Sequence, residues 1–283
     1  MRPLRPYISI MFTGLLLVPI MGVQAQEENY PDPGAFVIDW ERQVVITHSL
    51  GAPNTSLPQP AWRSSALRAA RSAAIRDLLE AVMGVTVSST TTVENSMLTS
   101  DIIKTHVSGV VRDYRVLKTT YFESMDVGVV VEMPLTGALY DAVLPGEMGG
   151  RIASTPLPGA APPSARPTGA VSGVVVDATG LDATPAMAPK ILDEDGEEVY
   201  GTTKVMRQYA MQQGVVGYHN NVARASEDER VAGNPLVVRA LRTTGPNGCD
   251  LIISNQDARQ IRQAAGNLPF LDECRVMIVL GAE

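Results

Sequence analysis

The sequence predicts an α+β protein of two small domains, each a mixed or mainly antiparallel sheet packed with helices, joined by a Pro/Gly-rich linker. One observation is a helical-period apolar stripe over 64–83, and another is a strand with one strongly apolar face over 127–133. The third is a segment over 145–170 that holds almost no charge and no apolar periodicity but is filled by Pro145, Pro156, Pro158, Pro162, Pro163 and Pro167 with Gly146, Gly149, Gly150 and Gly159. With 283 residues, 45% hydrophobic and 19% charged, the chain can bury one large or two modest cores.

The N-terminal domain is expected over 35–144. Gln43 to Thr47 is a short β-rich run followed by a proline-containing loop. In the helix that follows, Leu67, Ala70, Ala74, Leu78 and Ala81 share one face, Arg68, Ser72, Arg76 and Glu80 form an i,i+4 row on another, and Gly84 ends it. Val107 to Phe122 reads as a long twisted strand. Val127, Val129, Val131 and Met133 give the apolar face of the next one, and Glu123-Ser124-Met125-Asp126 fits the hairpin between them. The order strand, helix, strand, strand, strand gives one long helix on a mainly antiparallel sheet.

Between helix and hairpin stands Ser88-Ser89-Thr90-Thr91-Thr92, five hydroxyls in a row. Val85, Val87 and Val93 share one parity while Thr86, Ser88, Thr90 and Thr92 share the other, so the hydroxyls line the solvent side of a half-buried strand. A nucleophile would need a base within reach and oxyanion donors. His106 is the only histidine in the next fifty residues, and no nucleophile elbow surrounds the hydroxyls.

The C-terminal domain is expected over 171–281, as a mixed sheet with flanking helices. Gly173 to Asp177 and Pro235 to Leu241 read as strands, Thr203 to Gln213 and Asn221 to Glu229 as helices, and Lys190 to Tyr200 as a hairpin turning at Asp195-Gly196. Cys249 and Cys274 each precede an apolar strand pattern, and Ser254-Asn-Gln-Asp257 caps a helix between them that stops at Gly266. A strand, helix, strand unit should have parallel strands and a right-handed crossover, which places both cysteines at one edge of the sheet. A disulfide there would contribute on the order of 3 kcal/mol in the chain-entropy model. Two buried free thiols are the other reading, because parallel neighbours do not always supply the bridging geometry.

Other candidate sites favour structural roles. Asp193, Glu194, Asp195, Glu197 and Glu198 crowd one hairpin but lack the ligand ladder of a calcium loop, so they read as an exposed acidic turn. His48, His106 and His219 show no metal-ligand spacing, and two cysteines without nearby histidines are too few for a zinc site. Tyr200, Tyr209 and Tyr218 are expected to pack their rings and leave their hydroxyls wet. Glycoside hydrolysis would need a cleft with stacking aromatics, and the chain has only Trp40 and Trp62. No catalytic residue, cofactor or metal is expected.

Residues 1–25 read as a cleaved signal peptide: Arg2 and Arg5 are basic, Ile8 to Met21 is apolar but interrupted by Pro19, and Val23-Gln24-Ala25 offers a small-x-small cleavage site. The run is shorter than the roughly 20 residues that span a bilayer. The net charge is −7 and grows more negative once Arg2 and Arg5 are removed; with no basic patch, nucleic acid is excluded as a partner.

Residues 67–137 resemble the helix, strand and hairpin block of the LPP20-type envelope lipoprotein family and the N-terminal domain of flagellar assembly protein T. The resemblance is carried by the Ala-Arg-rich helix, Gly84-Val85, Thr92-Val93-Glu94-Asn95, Gly109 and Met133-Pro134-Leu135. From Gly173 to Leu280 the chain is similar to C-terminal parts of secreted proteins in the same group. The resemblance implies a non-enzymatic role in the periplasm or at the outer-membrane periphery of a Gram-negative bacterium, with envelope or flagellar proteins, or a second copy of the chain, as partners. It carries over no active-site residues. Ala25 and Gln26 stand where the family has its lipidation cysteine, so no lipid anchor is expected. The alternative functions are a periplasmic small-ligand or peptidoglycan binding protein and, behind it, a hydrolase.

Overall fold

A computed structural model describes residues 30–144, 170–266 and 268–281. The expected signal peptide and all but the last residue of the expected linker lie outside the described residues. The fold is α+β, with an antiparallel four-stranded sheet in the N-terminal half and a mixed seven-stranded sheet in the C-terminal half.

In the N-terminal half, β1 (Phe36–Asp39) and β2 (Val44–Gly51) form a hairpin, and α1 (Trp62–Met83) crosses back over the sheet. A small β3 (Thr86–Ser88) and β4 (Thr91–Thr92) hairpin follows, then α2 (Val93–Thr99) and α3 (Asp101–Val110). Next come β5 (Arg115–Tyr121), β6 (Val127–Pro134) and α4 (Ala138–Val143). The sheet order is β1-β2-β6-β5, all antiparallel.

The expected helical stripe is the contact. Ala70, Ala74, Leu78 and Ala81 are fully buried against Val127, Val129, Val131 and Met133 in one cluster. Burying one leucine contributes about 2 kcal/mol, and the alanines let helix and sheet approach closely. The approach is closest at Gly51, where an added Cβ would stand 2.2 Å from the Ala66 carbonyl oxygen. Ser49 on β2 donates to the Asp77 carboxylate on α1, fixing the helix along its axis.

Two expectations for this half are corrected. The stretch Val107 to Phe122 is not one strand: its first residues close α3, whose start is set by Ser100 accepting a hydrogen bond from the Ile103 amide. Val107 is buried as a helix residue, because a short β-branched run looks alike in either element. The hydroxyl row is likewise not one strand but a tight hairpin. Val85, Val87 and Val93 are buried as their parity requires, and Thr92, the last residue of β4 and paired with Thr86, also caps α2, its hydroxyl accepting from the Asn95 amide at 3.3 Å.

In the C-terminal half, β7 (Val174–Asp177), β8 (Ile191–Leu192) and β9 (Glu198–Tyr200) precede α5 (Arg207–Gln213) and β10 (Gly217–His219). After α6 (Val222–Glu227) come β11 (Leu236–Thr244), β12 (Asp250–Ile253), α7 (Asn255–Ala265) and β13 (Val276–Val279). The order is β10-β13-β7-β11-β12-β8-β9. The hairpin turns at Asp195-Gly196 as expected, with Gly196 at φ 84°, and Ser254 caps α7 through the Asp257 amide at 3.0 Å.

The strand, helix, strand unit around α7 departs from expectation. β12 is antiparallel to β11, which is parallel to β7, which is parallel to β13. β12 and β13 therefore run in opposite directions with two strands between them, about 14 Å apart at ordinary strand spacing. Cys249 and Cys274 begin these strands at opposite edges of the sheet, and both are free, buried thiols. The crossover rule applies to strands that end up parallel, and here the β11–β12 hairpin reverses the chain ahead of α7, so β12 runs against β13.

The two halves are not independent bodies on a tether. A single buried cluster runs from Val45, Leu78 and Tyr140 to Met187, Tyr200, Val215 and Ile278.

Candidate functional site

Polar chemistry concentrates at the seam between the halves. The turn before β2 brings Trp40, Glu41 and Gln43 to β10. Trp40 meets the Tyr218 ring edge-on, with centroids 5.5 Å apart. The Gln43 side chain donates to the Val216 carbonyl at 2.7 Å in a buried position. Glu41 pairs with His219 Nε2 at 2.7 Å, while His219 Nδ1 lies 2.9 Å from the Asn220 amide and 3.1 Å from the Asn221 amide. An Nδ1 that accepts from backbone amides leaves the proton on Nε2, pointed at Glu41.

Along the same seam α4 meets α5. The Gly137 amide donates to the Met211 carbonyl at 2.8 Å, and Arg207 grips Asp141 at 2.7 Å. The β3–β4 hairpin forms the third contact. Thr86 and Val87 carbonyls accept from the Met187 and Ala188 amides at 2.9 and 2.8 Å, and Asn247 donates to the Ser88 carbonyl at 2.9 Å. The segment that carries the hydroxyl row is thus a clamp made by its backbone. Its side chains are engaged locally, with Ser88 beside Thr90 and Thr91 donating to the Thr92 carbonyl.

The tyrosine expectation is corrected here. Tyr200 and Tyr218 are buried, and their hydroxyls are dry and bonded: Tyr200 donates to the Val215 carbonyl, and Tyr218 donates to the Ala186 carbonyl at 2.8 Å and accepts from its amide at 2.9 Å. Tyr140 completes the group by donating to the Met187 carbonyl at 2.6 Å. Burial pushes all three phenols well above the ordinary range. A phenol that stays protonated is a donor, and each finds a main-chain carbonyl that the packed loops would otherwise leave unsatisfied.

Beside them Arg230 donates to the carbonyls of Gly214 at 3.2 Å, Cys274 at 3.0 Å and Gln213. Two of these are the free carbonyls at the end of α5, where a cation complements the helix dipole. Burial lowers the Arg230 pKa from its ordinary value, with nearby tyrosines and Cys274 acting against that. Gly214 holds φ 80°, and a Cβ there would press on the Gln43 amide at 2.7 Å, so this turn admits only glycine.

An open cleft of about 410 Å³ lies over this seam, lined by Glu41, Arg42, Thr136, Gln212, Glu229 and Arg230 among others. Its charges are mixed, and its arginines are engaged: Arg42 holds buried Glu132 at 2.6 Å, and Arg230 holds carbonyls. The cysteines supply no nucleophile. Burial, with Asp250 adding to it, pushes the Cys249 thiol up to about 12, and burial raises Cys274 to about 12 against the opposing pull of Arg230.

The acidic hairpin proves to be braced. Asp193 is buried, accepts from the Asp195 and Glu197 amides at 3.1 and 2.9 Å, and pairs with Arg262 at 2.8 Å; Glu194 accepts from the Asn255 amide. Partial desolvation opposes the charged form of Asp193, but the amides and Arg262 outweigh it and hold the carboxyl below its ordinary range. Its charge secures the turn to α7. Among the described residues no group of three or more His, Cys, Asp or Glu side chains could hold a metal ion.

The seam residues Gln43, Tyr140, Asn247 and Arg230 carry no local sequence signal, since each acts on a partner far along the chain. The exposed apolar residues lie elsewhere: Phe36 and Val37 on β1, Leu50 on β2, Leu98 and Ile102 at the α2–α3 corner, Val116, Tyr121 and Phe122 along and just after β5, and Val237 and Leu241 on β11.

Among the described residues no helix is long and apolar enough to cross a membrane. Comparison with curated proteins gives no match. Residues 173–282 match the family model described as Treponema pallidum Tp0624, second domain, so the C-terminal half is similar to that domain.

Proposed function

We propose that this chain is a non-enzymatic, exported cell-envelope protein that acts as a structural or assembly module through its surfaces. Its place is the periplasm or the outer-membrane periphery, and its partners are envelope or flagellar basal-body proteins. The reading is supported above all by how the polar groups are used: the buried phenols and the Arg230 guanidinium are engaged by backbone carbonyls, within the C-terminal half for Tyr200, Tyr218 and Arg230 and across to it for Tyr140. Groups committed in this way hold a shape and are not free to move protons. The exposed apolar side chains on β1, β11 and the α2–α3 corner are the surfaces available to partners.

In-cell crosslinking of the tagged chain, with fractionation, tests this. The expected result is recovery in the envelope fraction, joined to another envelope protein. Recovery from the cytosol alone, or a measurable turnover abolished by replacing one seam residue, overturns it. Unchanged motility in a deletion strain removes the flagellar version.

A further inference from the structure

We propose that β1 is a pairing edge for a second copy of this chain, so that two four-stranded sheets join across a two-fold axis at Val37; this deepens the surface-acting reading above and rests on it. The backbone register carries the argument. The Gly34 amide donates to the His48 carbonyl, and the His48 amide donates to the Ala35 carbonyl, with Gly34 at φ 87°. Two residues facing one is a β-bulge, and it fixes the alternation that follows. With Ala35 facing β2, Val37 and Asp39 also turn their N–H and C=O toward β2 (opposite Ile46 and Val44), so Phe36 and Ile38 turn theirs outward.

An antiparallel copy centred on Val37 sets Phe36 opposite the copy's Ile38, and each pair exchanges two hydrogen bonds. The side chains agree with this register. Val37 is 47% exposed and would meet its own twin on one face, while exposed Phe36 would cover the copy's Ile38 on the other. No charge opposes its like, since Asp39 falls opposite Ala35.

β1 is itself short and bulged at Gly34, and what separates it from the other sheet edges is the absence of charge on its outward run. β5 carries a register shift between Val116 and Lys118 and two cationic residues, Arg115 and Lys118, while β9 and β10 have three residues each. Short length, bulges and edge lysines are the usual protections against strand addition. The outward run of β1 is uncharged from Ala35 through Ile38. Four hydrogen bonds and a few apolar side chains form a small interface, so the dimer is weak and concentration-dependent.

Sedimentation analysis of the purified chain up to about 100 μM tests the pairing. A monomer–dimer equilibrium is expected, weakened about tenfold or more by Val37→Lys and by Phe36→Asp, each checked for an unchanged far-UV spectrum. Val116→Lys on β5 should leave it unchanged. Mixing the Val37→Lys chain with a Val37→Glu chain should restore association that neither shows alone, which a merely unfolded variant could not do. A chain that stays monomeric throughout, or a dimer that survives both β1 variants, overturns self-pairing. Either result leaves the surface-acting reading to its own crosslinking test, so the two fail separately.

Discussion

The Tyr140 hydroxyl donates to the Met187 carbonyl at 2.6 Å, joining the last helix of the N-terminal half to the loop ahead of β8. Tyr140→Phe keeps the ring in place and removes this bond, leaving a buried carbonyl without its donor. A loss of about 1–3 kcal/mol in urea denaturation is expected. Because one core spans both halves, the transition should remain single, and fluorescence and far-UV dichroism should report the same midpoint. Two separate transitions would show that the halves unfold independently.

Alkaline pH should loosen the fold before it damages the chain. The buried phenols Tyr140, Tyr200 and Tyr218 and both thiols have folded-state pKa values raised by burial. The folded chain then holds protons that the unfolded chain has released. Such groups contribute fully below the unfolded pKa and lose that contribution as pH rises toward the folded one. For the thiols the window runs from 9.0 to about 12. Urea midpoints measured across that window should fall steadily, and Tyr140→Phe should reduce the slope.

Gly51→Ala should be among the most damaging single-methyl changes in the chain. The new Cβ would collide with the backbone of Ala66 and Ala70, both at 2.2 Å, which no side-chain rotation can relieve. Parting α1 from β2 should cost about 2–3 kcal/mol, read as a lowered melting temperature. Gly109→Ala, where a Cβ meets nothing within 4 Å, should be neutral or slightly stabilising.

Neither cysteine should react with a thiol reagent in the native state, and both should react after denaturation, because both are buried with raised pKa values. Melting temperatures with and without reductant should coincide. A native mass two hydrogens short would contradict the strand order.

What was legible in the sequence was local. The alanine stripe of α1, the Asp195-Gly196 turn and the Ser254 cap each declare themselves within a few residues, because helix period, left-handed glycine and N-cap chemistry are short-range physics. The start of α3 was equally local: Ser100-Asp101 is a capping signal, hidden by the β-branched run at Val107. The seam was not legible. Gln43 bonds Val216 across 173 positions, and nothing near either residue names the other. The sheet order that separates Cys249 from Cys274 fails to show for the same reason, since strand neighbours are chosen by the whole fold.

The shared core has a consequence for how this chain can be divided. In the stretch that matches a family model, 173–282, Met187, Val216 and Tyr218 meet Tyr140, Gln43 and Trp40 of the other half. Severed from the first half, it would lose that cover and turn part of the shared apolar core toward water.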